Sequence, residues 1–234
     1  MGLVLSVLGA GGSMFIVPVL VFVLDSPVSE ATGTSLLIVG AAALVAAVAH
    51  GRKGNVNVRI AAIFGAAAMA GALGGAALHP LVSARVSMGL FAALLFVAAA
   101  RMVWGKAEVR PGAAKLGVLV PLGLAIGVLS GFLGVGGGFL IVPVLSWGAG
   151  LTVKQAIGTS LAVIAASSLV GAVGHAAQGQ LTVGLLATVG TGAVIGALAG
   201  APLSGRLPER PLRLGFAGLA VAVGLYMAVR VSVA

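Results

Sequence analysis

Six stretches of this chain, residues 30–50, 56–78, 86–104, 154–175, 181–203 and 212–230, run for about 20 apolar residues each. That is the length a helix needs to cross a hydrocarbon layer at 1.5 Å per residue. Charged residues make up only 7% of the sequence and the mean hydropathy is +1.24, whereas a soluble domain carries about 25% charged residues. So few charges cannot cover a water-facing surface, and lipid must be the solvent for most of the chain. The 38 glycines suit membrane helices that pack with their backbones close together. The expected fold class is all-α, a polytopic membrane helix bundle.

The chain is also a duplication. Residues 9–20 read GAGGSMFIVPVL and residues 134–145 read GVGGGFLIVPVL, an offset of 125 from Gly9 to Gly134. At that offset EATGTSL (30–36) meets QAIGTSL (155–161), His50 meets His175, Gly54 meets Gly179, and Gly71 and Gly75 meet Gly196 and Gly200. Arg85 and Phe91 likewise meet Arg210 and Phe216. Chance similarity between alanine-rich segments would not keep Gly, Pro, Thr, Ser, His and Arg in register without a gap. The expected organisation is a first membrane repeat at 1–104, a cytoplasmic linker at 105–115 and a second membrane repeat at 116–234. Shorter apolar arms, 2–8 and 14–24 in the first half and 116–133 and 138–147 in the second, flank the glycine clusters. Met1 aligns with Ile126, so the first arm lacks most of its counterpart's N-terminal part; a late start and a true asymmetry both remain open. The opening residues lack a basic segment and do not read as a cleaved signal peptide.

Loop charges set the expected orientation. The loop after the first GTSL helix carries Arg52, Lys53 and Arg59, and its second-half counterpart has no Lys or Arg. The following loop reverses the bias, with Arg206, Arg210 and Arg213 in the second half and Arg85 alone in the first. By the positive-inside rule the halves face opposite ways, which makes them inverted repeats. Inversion requires residues 116–150 to begin and end on one side. The bend then falls at GVGGG, in a broken or re-entrant hairpin followed by three transmembrane helices in each half. A long glycine-kinked helix in parallel repeats is the competing reading.

Glycine-rich backbone at membrane depth is tolerated only beside protein or a polar cavity. A helix starting after such a break aims free N–H groups and a partial positive charge into it, which favours an anion. Gly134, Gly136, Gly137 and Gly138, with Gly9, Gly11 and Gly12 from the other half, are therefore candidate substrate-binding residues. Thr34, Ser35, Thr159 and Ser160 add hydroxyl donors that carry no charge; Ser167 and Ser168 are weaker candidates. Bonding back to the helix is the competing role for all of these hydroxyls. His50 and His175 end equivalent helices, where they are interfacial anchors or serve proton coupling. Gly192, Gly196 and Gly200, echoed by Gly71 and Gly75, read as helix-packing positions. Asp25, Glu30, Glu108 and Glu209 lie in loops or at helix ends, which argues against a cation path through buried carboxylates.

The net charge of +9 does not point to nucleic acid, because the Lys and Arg residues sit at the ends of apolar runs. Cysteine is absent, which excludes disulfides, thiolate chemistry and cysteine metal sites. No nucleophile–base pair or His/Asp/Glu cluster suggests an enzyme, and no metal or other cofactor is expected. The expected partners are a small anionic substrate and the lipid bilayer, with a homo-oligomer left open.

GFLGVGGGFLIVPVL followed by QAIGTSL, together with its first-half copy, resembles the TauE/SafE sulfite exporter family, also called the toluene sulfonate uptake permease family. The resemblance covers essentially the whole chain. It implies a multi-pass transporter of the bacterial inner membrane that moves sulfite, organosulfonates or related sulfur-containing anions, in the export direction and by alternating access. It also points to the glycine clusters and the two Thr-Ser pairs named above. Ser13 replaces the last glycine of the first cluster, a departure from the pattern. A passive anion channel and a non-transporting membrane subunit are the alternatives.

Overall fold

The computed structural model describes residues 2–9, 28–78, 84–104, 116–133, 138–177 and 183–233. Regular structure among the described residues is entirely helical. The first half supplies α1 (Gly2–Leu8), α2 (Val28–Gly51), α3 (Val58–Leu78) and α4 (Ala84–Trp104). The second supplies α5 (Leu116–Leu133), α6 (Gly138–Trp147), α7 (Val153–Ala177), α8 (Thr191–Arg206) and α9 (Glu209–Val233). A single turn at Val183–Leu185 and a π-helical turn at Leu186–Gly190 lead into α8. The arm expected at 14–24 and the linker at 105–115 lie outside the described residues.

Local chemistry accounts for the helix ends. Gly54 has φ +71, a left-handed conformation that costs a non-glycine residue about 1–2 kcal/mol. It closes α2 in a Schellman motif: Asn55 N–H donates to the His50 carbonyl and Gly54 N–H to the Gly51 carbonyl. Asn57 then caps α3, its Oδ1 accepting from Ile60 N–H at 3.0 Å. After α8, Leu207 is extended (φ −71, ψ 138), as expected of a residue before Pro208. Glu209 opens α9, where a carboxylate complements the helix dipole.

Helices Gly33–Gly51, Val58–Gly75, Val153–Val173 and Leu186–Ser204 contain spans long and apolar enough to cross a membrane. Leu73, Val173 and Ile195 are 78%, 70% and 66% exposed on such spans. Apolar surface costs about 25 cal/mol per Å² in water, so these outward faces require lipid. The chain is a multi-pass membrane protein.

The chain divides into two compact units, Met1–Ala61 with Lys154–Leu207, and Ala62–Val153 with Pro208–Ala234. Each unit draws on both sequence halves. In the first, α1 packs along α8. A Cβ on Gly2 would land on the Ala193 carbonyl, and one on Gly200 would lie 2.8 Å from the Leu3 carbonyl. In the second unit, a Cβ on Gly127 of α5 would land on the Ala68 carbonyl of α3, and one on Gly71 on the Leu124 carbonyl. Gly2 and Gly127, like Ala68 and Ala193, are one repeat offset apart. The same backbone contact is therefore made twice, each time between an arm of one half and a helix of the other. Gly196, Gly200 and Gly71 are helix-packing positions, as the sequence suggested. At Gly192, no described residue lies within 4 Å of a Cβ placed there.

Within the second unit, a Cβ on Gly148 would lie 2.5 Å from Leu122 Cδ1. A continuous helix would separate those residues by about 39 Å at 1.5 Å per residue. The chain therefore doubles back between α5 and α6. In the same unit α4 and α9, which are repeat equivalents, pack against each other.

Candidate functional site

The site grows from the end of α1, in the first unit. The last carbonyls of a helix have no partner within it, and this end is buried: Leu5 and Ser6 are 1% and 0% exposed. Among the described residues, these carbonyls find partners in Gly9 and in other helices. Gly9, at φ +69, turns its N–H back to the Leu5 carbonyl at 2.8 Å. His50 Nε2 of α2 meets the Ser6 carbonyl at 3.1 Å, which makes that nitrogen the protonated one in a neutral ring. Ser204 Oγ of α8 donates to the Val7 carbonyl at 3.3 Å. Ser160 Oγ of α7 donates to the Gly9 carbonyl at 2.6 Å. Two residues singled out from opposite sequence halves, Gly9 and Ser160, thus meet directly.

A helix C-terminus carries partial negative charge and by itself would repel an anion. Donation from His50, Ser160 and Ser204 offsets that charge. It also commits the Ser160 proton, so in this conformation Ser160 caps the break. Its neighbour Thr159 accepts from Asn57 N–H at 3.0 Å, which leaves the Thr159 O–H as a donor.

The α2–α3 loop reaches α7 because Gly158 has no side chain. A Cβ there would land on the Asn55 carbonyl and lie 3.1 Å from His50 Cβ. Lys53 anchors the same loop by donating to the Ala201 carbonyl at 3.0 Å. Coverage by α7 explains why His50 is only 1% exposed, where its place beside Arg52 and Lys53 suggested an interfacial anchor. Its Nδ1 and the hydroxyl of Ser6 are buried without a hydrogen-bond partner.

Thr34 and Ser35 are buried on α2, at 0% and 4% exposure. Ser167 bonds back to the Ile164 carbonyl at 3.2 Å, the bland role open to all these hydroxyls, and Ser168 is buried. Gly138 opens α6, in the second unit. Gly11, Gly12, Gly134, Gly136 and Gly137 lie outside the described residues, as does the side chain of His175. Sequence reasoning did not find Ser6, Asn57, Gly158 or Ser204. Gly158 alone had a signal, because it belongs to the duplicated GTSL motif (Gly33 in the first copy).

Known proteins give this arrangement a family context. A probable membrane transporter protein of Bacillus subtilis, YdhB, is 31% identical over 220 residues, covering 91% of this chain and 90% of the relative. A probable membrane transporter protein of Xylella fastidiosa is 30% identical over 97% of this chain and 90% of its own length. One from Methanocaldococcus jannaschii, MJ0441, is 23% identical over 97% of this chain and 91% of its own length. No solved structure matches. The family model described as sulfite exporter TauE/SafE matches residues 1–227, and the chain belongs to that family of membrane transporters.

Proposed function

We propose that this protein carries a small sulfur-containing anion, sulfite or an organosulfonate, across the inner membrane in the export direction. Alternating access of two inverted repeats moves the anion past the glycine breaks. The observation that carries the proposal is the 2.6 Å bond from Ser160 to the Gly9 carbonyl, which joins the hydroxyl motif of one repeat to the break of the other. The α6 arm is 10 residues long, about 15 Å, half of a hydrocarbon core. Such an arm supports a re-entrant hairpin whose helix N-terminus faces the substrate from within the membrane. Uncharged hydroxyls such as Thr159 orient an oxyanion without holding it too tightly to leave. His50, buried against the α1 carbonyls, is the candidate for proton coupling in the first unit, with His175 its repeat counterpart.

The test is flux into liposomes containing the purified protein, with sulfite, sulfoacetate, sulfate and chloride offered separately. Saturable flux of sulfite or the sulfonate, above that of chloride, is expected. Flux of no oxyanion would sink the proposal, and unsaturable flux of every anion would make the protein a channel. Gly137→Leu should abolish flux in protein that still inserts; unchanged flux would remove the breaks from the substrate path.

A further inference from the structure

At one end of the second unit lies a cationic cavity that the transport chemistry does not use. It has a volume of about 380 Å³ and is lined by Met102, Val103, Glu209, Arg210, Arg213 and Leu214. Arg213 and Met102 also line an adjoining niche with Arg101, Ser146 and Trp147. The Arg101 guanidinium lies 4.9 Å from the Trp147 ring centroid, within the range of cation–π attraction. Among the described lining residues, three guanidinium groups face one carboxylate, Glu209, a balance of +2. The rim is apolar: Val103 and Leu214 are 44% and 51% exposed, and Trp147 48%. A guanidinium cluster matches the phosphate oxygens of a headgroup. Exposed aliphatic and indole groups beside it match the start of the acyl chains.

The repeat separates this cavity from the substrate path. Repeat-equivalent helices α4 and α9 pack antiparallel, since Gly224 meets Phe96 while the α9 start meets the α4 end. A symmetric pair would carry the same groups at both ends. Instead Arg101 corresponds to Tyr226, Arg213 to Met88 and Glu209 to Ala84, and only Arg210 keeps a counterpart, Arg85. The cluster therefore belongs to one membrane face. It is the face that the positive-inside rule assigns to the cytoplasm, where anionic lipids are attracted to such residues.

We infer that this cavity is a binding site for the phosphodiester headgroup of an anionic phospholipid, held by Arg101, Arg210 and Arg213. A soluble tetrahedral oxyanion shares the headgroup's chemistry, and the lipid is favoured by the apolar rim and the one-sided placement.

Native mass spectrometry of the intact protein in neutral detergent, titrated with cardiolipin, phosphatidylglycerol or phosphatidylcholine, tests this. Both anionic lipids should be retained over phosphatidylcholine, and cardiolipin, with two phosphates, most strongly. Arg210→Gln should weaken phosphatidylglycerol binding about fivefold and Arg101→Gln with Arg210→Gln about 25-fold. Both side chains are exposed, and unchanged melting temperatures will certify the fold. Arg59→Gln, an exposed arginine in the other unit, should change nothing. Equal retention of neutral and anionic lipid would overturn the inference, as would an Arg59→Gln effect equal to that of Arg210→Gln. Displacement of phosphatidylglycerol by millimolar sulfate, without any preference among lipids, would also overturn it by assigning the cavity to a soluble anion.

Discussion

Replacing Gly9 and Gly54 with alanine makes the same demand on the backbone in two different surroundings. Their φ angles are +69 and +71, so each substitution carries the left-handed cost of about 1–2 kcal/mol. No described residue lies within 4 Å of a Cβ on Gly54, and Gly54→Ala should cost that and little more. A Cβ on Gly9 would lie 2.9 Å from Ile157 Cα and 3.1 Å from the Ile157 carbonyl oxygen. Those neighbours are backbone and cannot rotate away, so α1 and α7 must separate by several tenths of an ångström. Forcing extra volume into packed structure costs about 1–3 kcal/mol, and the shift also strains the 2.6 Å bond from Ser160. Gly9→Ala should therefore cost about 2–5 kcal/mol in total. Reversible unfolding of the purified variants in mixed detergent micelles measures both. The informative quantity is their difference, expected at about 1–3 kcal/mol, because the φ penalty cancels. A difference under about 0.5 kcal/mol, the usual limit of a surface substitution, would refute the close packing of the break against α7.

Ser160→Ala strands the buried Gly9 carbonyl without its donor and should lower stability by about 1–3 kcal/mol in the same assay. His50→Ala removes the donor to Ser6 and leaves a cavity, for about 2–4 kcal/mol; His50→Gln, which keeps an N–H donor, should recover part of that loss. Gly2→Ala and Gly127→Ala should destabilise to a similar degree, since each Cβ meets a carbonyl at repeat-related positions. Gly192→Ala has open space and should be neutral or stabilising by up to about 1 kcal/mol. Residues 1–104 and 116–234 expressed separately should each be degraded, and co-expression should recover them in the membrane, as read by immunoblot.

The helices were legible because membrane helices announce themselves by length. The expected arm at 138–147 is α6 (Gly138–Trp147), and α5 (Leu116–Leu133) begins and ends at the expected residues. Gly9 and the GTSL hydroxyls could be named because the duplication repeats them, and Ser160 does reach Gly9. The burial of His50 was not legible, for a physical reason. A histidine at the end of an apolar run, followed by Arg52 and Lys53, looks interfacial. Its burial depends on Gly158, a residue 108 positions away in sequence, which lets α7 close over it. Ser6 and Ser204 were invisible for a related reason. Isolated serines in apolar helices usually bond back to their own backbone, and Ser204 has His79 as its counterpart, so the repeat did not mark it.

The exchange of arms between halves gives the duplication a mechanical meaning. α1 packs chiefly along a helix of the second half. The flank of α1 is supplied by α8, the donor to its Val7 carbonyl by Ser204 and the donor to the adjoining Gly9 carbonyl by Ser160, all from the second half. His50 is the contribution of its own half. The geometry of the break at Gly9 is thus set mostly by the other repeat. Any movement of α7 or α8 relative to α2 must either carry α1 along or release its carbonyls, and releasing a buried carbonyl costs about 1–3 kcal/mol apiece. Carrying it along is the cheaper course, so α1, α7 and α8 should move as one body, and the hydrogen bonds of His50, Lys53 and Asn57 are among those that must break for that body to part from α2 and its loop.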